Sequence, residues 1–446
     1  MKEKFIKLLG KGKFRAASYI GLIIAVVAIA FYAMAYGASL QAAALFNRIM
    51  ASQKLIEGNI QVETLSATPW GSVTFTNLKW TDDTDSNVVV IPEGSFKVKP
   101  WDVVWRQLKP SSITEATISD ADMTFVFDDN MHIKGIRAME EPKPKKFKSH
   151  KEKQPFDIKL KDMDVKISMH NCKLTALYQK RVFELDKVNA DVHYDSDDKM
   201  DIDFSIGDFG GTLIGDGIIL RGTVDLKPKI STCDLRMRIK ELNPSSLGTG
   251  LNINEKVTAV AHVTGPVADP NIEGRLAMEE LNLPGLNFKK LVGEYKYDDG
   301  LITANNVKAK IFGGTCDADG DFNIDTKAYN VNCLGHNLQG GMAAHTPLLS
   351  CEVELDLKMR CNGDNKSTET FGSFTSGKGK YAVIFFESIS GSFHNQFNNL
   401  VFTDVVINTP LGEVMSPQFS LKKGKLRMGD IYLANRNTGE KVKLNI

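Results

Sequence analysis

Residues 351–361 read CEVELDLKMRC. Cys351, Val353, Leu355, Leu357, Met359 and Cys361 share one parity, and the positions between them carry Glu, Glu, Asp, Lys and Arg. Successive side chains of a β-strand point to opposite faces, so this alternation predicts a strand with one apolar and one charged face. The apolar set has two possible roles: the core of a sandwich, or the lining of a groove open to an apolar ligand. Cys351 and Cys361 cannot bridge within this strand, because the extended chain between them spans more than about 30 Å.

The same grammar runs outward in both directions. Cys233 shares parity with Leu235, Met237 and Ile239, and Val257, Ala259, Ala261 and Val263 alternate with their neighbours. Nearer the start, Val73 and Phe75 alternate with Thr74 and Thr76 beyond a Pro69–Gly71 turn, and two strands are expected within SSITEATISDADMTFVFDD. Further strands are read in FDIKLKDMDVKISMHNCKLTALY, KVNADVHY, MDIDFSI, GKGKYAVIFF, LVFTDVVINT and KVKLNI. WDVVWRQL is expected to form a short helical turn or loop, and Glu387–Leu400 (ESISGSFHNQFNNL) a helix. The chain is thus predicted to be mainly β, with roughly 20 or more short strands. With so little helix to cover it, a half-apolar sheet must pack on another sheet, close on itself, or keep a face for an apolar ligand.

Phe209-Gly210-Gly211-Thr212 recurs as Phe312-Gly313-Gly314-Thr315, each after an alternating strand. This points to a duplicated unit of about 100 residues or to reused turn chemistry. Gly210, Gly211, Gly313 and Gly314 are read as structural turns that permit positive φ or a bulge, in preference to a close approach to ligand.

The N-terminus is of another kind. Ala16–Tyr36 (AASYIGLIIAVVAIAFYAMAY) carries no charge and is long enough to cross a bilayer as a helix. Lys2, Lys4, Lys7, Lys11, Lys13 and Arg15 precede it, against Glu3 alone, which places the N-terminus in the cytoplasm and the rest beyond the membrane. The apolar run exceeds the usual core of a cleaved signal peptide, so an uncleaved anchor is expected. Helix-forming residues continue past it through GASLQAAALFNRIMASQKLIEG. The segment EEPKPKKFKSHKEKQP, 140–155, holds one hydrophobe, Phe147, and is read as an exposed linker or loop. The expected organisation is therefore 1–37 basic segment and transmembrane anchor, 38–139 N-terminal β region, 140–155 linker, and 156–446 repetitive β region.

Composition narrows the function. The 446 residues carry a formal net charge of +1, which argues against a nucleic-acid partner. No GxxxxGK[ST] motif and no GxGxxG motif in a strand–helix setting occurs, so no nucleotide site is expected. The eight histidines include no i,i+4 pair and the six cysteines no CxxC, so neither a metal, a cofactor nor a catalytic centre is anticipated. Local parity makes Cys233, Cys351 and Cys361 small apolar residues of strand faces.

The stretches ATPWGSVTFTNLKW, VIPEGSFKVKPWDVVWRQL and TISDADMTFVFDDNMHIKGI, following the anchor, resemble the N-terminal region of AsmA-like proteins. TGPVADPNIEGRLAMEEL and GEYKYDDGLITANNVKAKIFGGTCDADGDFNI resemble the repeating unit of the AsmA and TamB group. SGKGKYAVIFF and LVFTDVVINTPLGEVMSPQFSLKKGKLRMGDIYLA are similar to AsmA C-terminal regions. The resemblance implies one transmembrane helix followed by a long curved antiparallel sheet, a taco-like open groove closed in parts. It implies a non-enzymatic, inner-membrane-anchored periplasmic protein that binds phospholipid and passes it toward the outer membrane, supporting envelope integrity. Membrane phospholipids, the inner membrane and other envelope proteins would be its partners. Val353, Leu355, Leu357, Met359, Leu235, Met237, Ile239, Val257 and Val263 would line the groove. The alternative is an anchored extracytoplasmic structural or adhesive β-protein that binds no lipid; a glycan-processing β-helix enzyme fits less well, for want of a site constellation.

Overall fold

The computed structural model describes residues 39–446 apart from 53–56, 69, 85, 105–111, 129–132, 136–163, 228–229, 248–252, 268, 284–285, 397–398, 423–424, 428, 437 and 445–446. Of the described residues 71% are in strands and 7% are helical, and the strands form a long mixed sheet. The expected anchor Ala16–Tyr36 and the 140–155 linker lie outside the described residues. Among the described residues no helix is long and apolar enough to cross a membrane. The chain divides into two units, Met1–Asn254 with Val260–Pro270, and Glu255–Ala259 with Asn271–Ile446.

The first unit opens with the helix Ser39–Ser52, SLQAAALFNRIMAS, rich in the Ala and Leu that favour helix. Ala42, Ala43, Phe46 and Met50 fall on one stripe of it, and each is at most 3% exposed. The stripe packs against the strands Asn59–Gln61 and Thr64–Ala67, which pair with Ser72–Thr81. The Asn47 amide fixes the contact: its Nδ2 donates to Val62 O at 3.0 Å and its Oδ1 accepts from Val62 N at 2.8 Å. Beneath the helix, Leu65 and Val73 are almost wholly removed from water. Trp80 is buried with its indole N–H donating to Glu57 O at 2.9 Å, so its polar atom is satisfied.

The sheet departs from the antiparallel expectation. Ile113–Ser119 and Asp122–Phe127 both run parallel to Val165–Tyr178, one after the other along it. They behave as a single long strand with a bulge at Asp120 and Ala121, where Asp120 N donates to His170 O and Lys173 N donates to Ala121 O. Antiparallel partners can be joined by a tight turn, but a parallel pair requires a long connection. The chain between Phe127 and Val165 has that length, and alternation alone carries no information on strand direction.

The second unit is a meander of antiparallel neighbours. Asn271–Leu283, Leu286–Asp298, Leu301–Ile311, Gly314–Asn323, Ala328–Gln339 and Glu352–Asn362 pair in sequence order. Glu369–Ser376, Ser388–Gln396, Asn399–Thr409 and Gly412–Lys422 continue it. The helix expected over Glu387–Leu400 is therefore absent; the segment forms parts of two strands. Its helix-compatible polar residues are overridden by Ile389 and Phe393, which find partners in Ile407 and Phe402 on the next strand. A separate three-stranded sheet is made by Leu349–Ser350, Gly379–Tyr381 and Ile384–Phe386.

One device recurs in both units. Asn77, Asp120, Asn171, Lys187, Lys290, Asn306, Asn337 and Asp404 sit within strands or between collinear ones, with φ between 48° and 53°. Each switches the parity of the apolar set, so the same face stays apolar on both sides; the ladder register shifts by one residue at Asn171, Lys187, Lys290, Asn306, Asn337 and Asp404 and passes unshifted through Asn77 and Asp120. Thus Val73 and Phe75 are followed by Leu78 and Trp80, and Ile302 and Ala304 by Val307, Ala309 and Ile311. Neighbouring strands take up freed amides: Asn171 N donates to Asn189 Oδ1, Asn306 N to Asp319 Oδ1 and Asn337 N to Glu354 Oε1, at 2.8–2.9 Å. Six of the eight are Asn or Asp, the non-glycine types that best tolerate this backbone region.

Candidate functional site

The site grows from the strand Glu352–Asn362. Val353, Leu355, Leu357 and Met359 share one face and are half-buried, while Glu354, Asp356, Lys358 and Arg360 are exposed on the other. Across the ladder these apolar residues stand opposite Leu338, Gly335, Cys333 and Val331 on one side, and Ser376, Phe374, Gly372 and Thr370 on the other. Further along the same direction the face becomes aromatic. Phe402 stacks on Phe419 at 4.7 Å between centroids and meets Phe374 edge-on at 6.1 Å. Gly391 lies beneath the Phe374 ring, and a Cβ there would come within 3.0 Å of it.

Most of this face is neither buried nor free. A small cluster of Ala309, Ile311, Cys316 and Leu338 is truly buried, with Val353, Leu355, Phe312 and Leu286 partly buried against it. Each partly exposed apolar side chain leaves area in water at about 25 cal/mol per Å². A continuous apolar face kept in that condition is the property a ligand with apolar chains would use.

The cluster borders a cavity of 1710 Å³. Leu286, Ile311, Phe312, Met342, Leu349 and Cys351 supply apolar wall; Lys289, Lys310, Lys378, Glu352 and Glu354 supply charge. The volume exceeds the roughly 300–1,000 Å³ typical of small-molecule sites, and the mixed lining suits an amphiphile. Glu354 is held in place by its neighbours. It accepts from Asn337 N at 2.8 Å and meets His336 Nδ1 at 2.7 Å, and these bonds hold its carboxyl below the usual carboxylate range.

Gly313 and Gly314 also line this cavity. Phe312 and Gly313 form the two-residue turn of a hairpin closed by Ile311 and Gly314, with φ of 48° and 76°. A Cβ on Gly314 would lie 2.3 Å from His336 O. The other copy of the motif is built differently: Gly210 and Gly211 belong to the strand Asp208–Gly211, and a Cβ on Gly211, at φ 68°, would lie 2.3 Å from Val182 O. Close backbone approach explains glycine at Gly211 and Gly314, and the positive φ of 76° explains it at Gly313.

The remaining candidates lie elsewhere. Leu235, Met237 and Ile239 are half-buried on the strand Thr232–Leu242 of the first unit, opposite Gly222, Leu220 and Ile218, with Arg236 and Arg238 exposed on the reverse face. Val257 and Val263 are half-buried on Val257–Pro266 and flank the buried Ala259 and Ala261. Sequence reasoning missed Ile311, Phe312, Leu338, Phe374 and Phe402. For Ile311, Leu338 and Phe402 the signal was a parity break in the same strand, at Asn306, Asn337 and Asp404, where a strict period of two loses the face; Phe374 lies on a strand without such a break.

All six cysteines are free thiols. Cys316 and Cys333 are on neighbouring strands, and a hydrogen bond between them lowers the Cys316 thiol and, with burial, raises that of Cys333. Among the described residues no group of three or more His, Cys, Asp or Glu converges as a metal site. No family model, curated protein or solved structure matches this chain.

Proposed function

We propose that this protein is a membrane-anchored, periplasmic β-groove protein that binds phospholipid acyl chains and passes them along an apolar strand face toward the outer membrane. The observation carrying this reading is the half-buried apolar face of the second unit, which ends at a cavity of 1710 Å³. Burying a lipid methylene there recovers about 0.8 kcal/mol. The charged residues at the cavity wall leave a headgroup in contact with polar partners and water. No catalytic step is required, since movement along such a face needs only a gradient or an external energy source. The AsmA-like resemblance and the charge asymmetry around Ala16–Tyr36 support the inner membrane as the source of lipid.

The test is lipid analysis of residues 38–446 expressed without the anchor. Phospholipid is expected to co-purify and to appear by mass spectrometry of the extracted protein. Leu355→Asp with Leu357→Asp should remove it while the fold survives, because both positions are only half-buried. An absence of lipid, or an unfolded double variant, favours a packed structural β-protein instead.

A further inference from the structure

The short sheet beside the cavity ends in a tip that none of the described residues covers. Tyr381 pairs with Ile384 around the turn Ala382-Val383, with Ala382 at φ 53° and its N–H donating to Leu348 O at 2.8 Å. Val383 is 84% exposed, Phe385 68%, Ile384 63%, Tyr381 49% and Leu348 48%. Phe386 alone of the hairpin is buried; its ring closes over Gly379, where a Cβ would lie 2.6 Å away. The hairpin is thus held at its root and presents a convex apolar end. Soluble surfaces seldom gather large apolar side chains this way without a partner.

Charge identifies the partner. Between Gly377 and Phe386 the charged residues are Lys378 and Lys380, both exposed, and no acid occurs. The next acid along the chain, Glu387, is already paired with Arg436 at 3.2 Å. An apolar end with a basic collar matches an anionic bilayer surface, where apolar groups enter the acyl boundary and lysines reach phosphates. We propose that the Gly379–Phe386 hairpin inserts into the interface of an anionic phospholipid bilayer. Lys378, Leu349 and Ser350 also line the cavity, so insertion sets part of the cavity wall at the membrane surface. A bilayer contact needs no lipid in the groove, and the two readings stand or fall separately.

The full chain, assembled in phosphatidylcholine nanodiscs, is mixed with phosphatidylcholine vesicles with or without phosphatidylglycerol, and association is read by flotation. The wild type is expected to float with the phosphatidylglycerol vesicles and not with the neutral ones. Lys378→Gln and Lys380→Gln should each weaken association roughly fivefold. Val383→Asp with Phe385→Asp should weaken it at least ~10-fold, with unchanged unfolding midpoint and, in residues 38–446 expressed without the anchor, unchanged co-purifying lipid. Leu334→Gln, an exposed apolar position on the charged face of its sheet, should bind as wild type. Val383→Trp should add fluorescence that brominated lipids quench. Equal binding by the tip variants, binding indifferent to phosphatidylglycerol, or an unquenched indole signal from the Val383→Trp variant overturns the proposal. Vesicle binding without co-purifying lipid would instead remove the groove reading and leave this one standing.

Discussion

The helix-backed start of the first unit and the meander of the second use the same strand grammar and end in opposite states. Under the helix Ser39–Ser52, Leu65 is 1% exposed and Val73 0%. On Glu352–Asn362 the equivalent apolar residues are half-buried from Val353 to Met359. Both regions alternate, and both switch parity at an αL residue, Asn77 in one and Asn337 in the other. What differs is the covering layer. The first has an amphipathic helix of 14 residues; among the described residues the second has the four-residue helix Gly340–Ala343. Alternation fixes which face is apolar, and a separate element decides whether this face becomes core or remains available.

The largest expected effect tests the covered side. Phe46→Ala should destabilise the first unit by about 3–5 kcal/mol, against about 1–2 kcal/mol for Leu357→Ala in the second, both by denaturant unfolding. Equal costs would break the contrast. The bulges should behave alike in the two regions: Asn77→Val and Asn337→Val should each cost about 1–2 kcal/mol, because a β-branched residue resists positive φ. Asn77→Gly and Asn337→Gly should cost less in the same assay, and a β-branched variant as stable as wild type would show that the bulge can relax.

The smallest effect is electrostatic. The amide of Asn337, and then His336, hold the Glu354 carboxyl below its ordinary range. A lowered folded-state value stabilises above the unfolded-state value, and the gain is lost as the pH falls below about 4. Glu354→Gln should therefore lower the neutral-pH midpoint slightly, leave the midpoint in acid unchanged, and so flatten the acid limb of stability against pH. An unaltered acid limb would show that the Asn337 bulge does not depend on this carboxylate.

Some of this was legible beforehand for a physical reason. The strand at 351–361 has no bulge, so a strict period of two survives from end to end. The helix after residue 38 was legible from its Ala- and Leu-rich composition. The expected helix at Glu387–Leu400 failed because cross-strand partners, which outweigh local propensity in this stretch, do not show in a local window. Parity breaks at Asn306 and Asn337 hid the cluster of Ile311 and Leu338, since they look like the end of a strand when they are a bulge within it.

By itself, then, the sequence determined a mainly β chain with one apolar and one polar face per strand, because the two-residue repeat of an extended backbone is local. Asn, Asp and Gly tolerate a left-handed backbone for local reasons, but Lys187, Lys290, Phe312 and Ala382 adopt it as well, so those positions were set by the fold. The tertiary structure alone decided the parallel pairing of residues 113–127 with Val165–Tyr178, the helix as cover for one sheet region, and the cavity beside Ile311 and Cys351. Each of these depends on which distant segments meet, and the free energy of such meetings lies in burial and pairing between residues far apart in the chain.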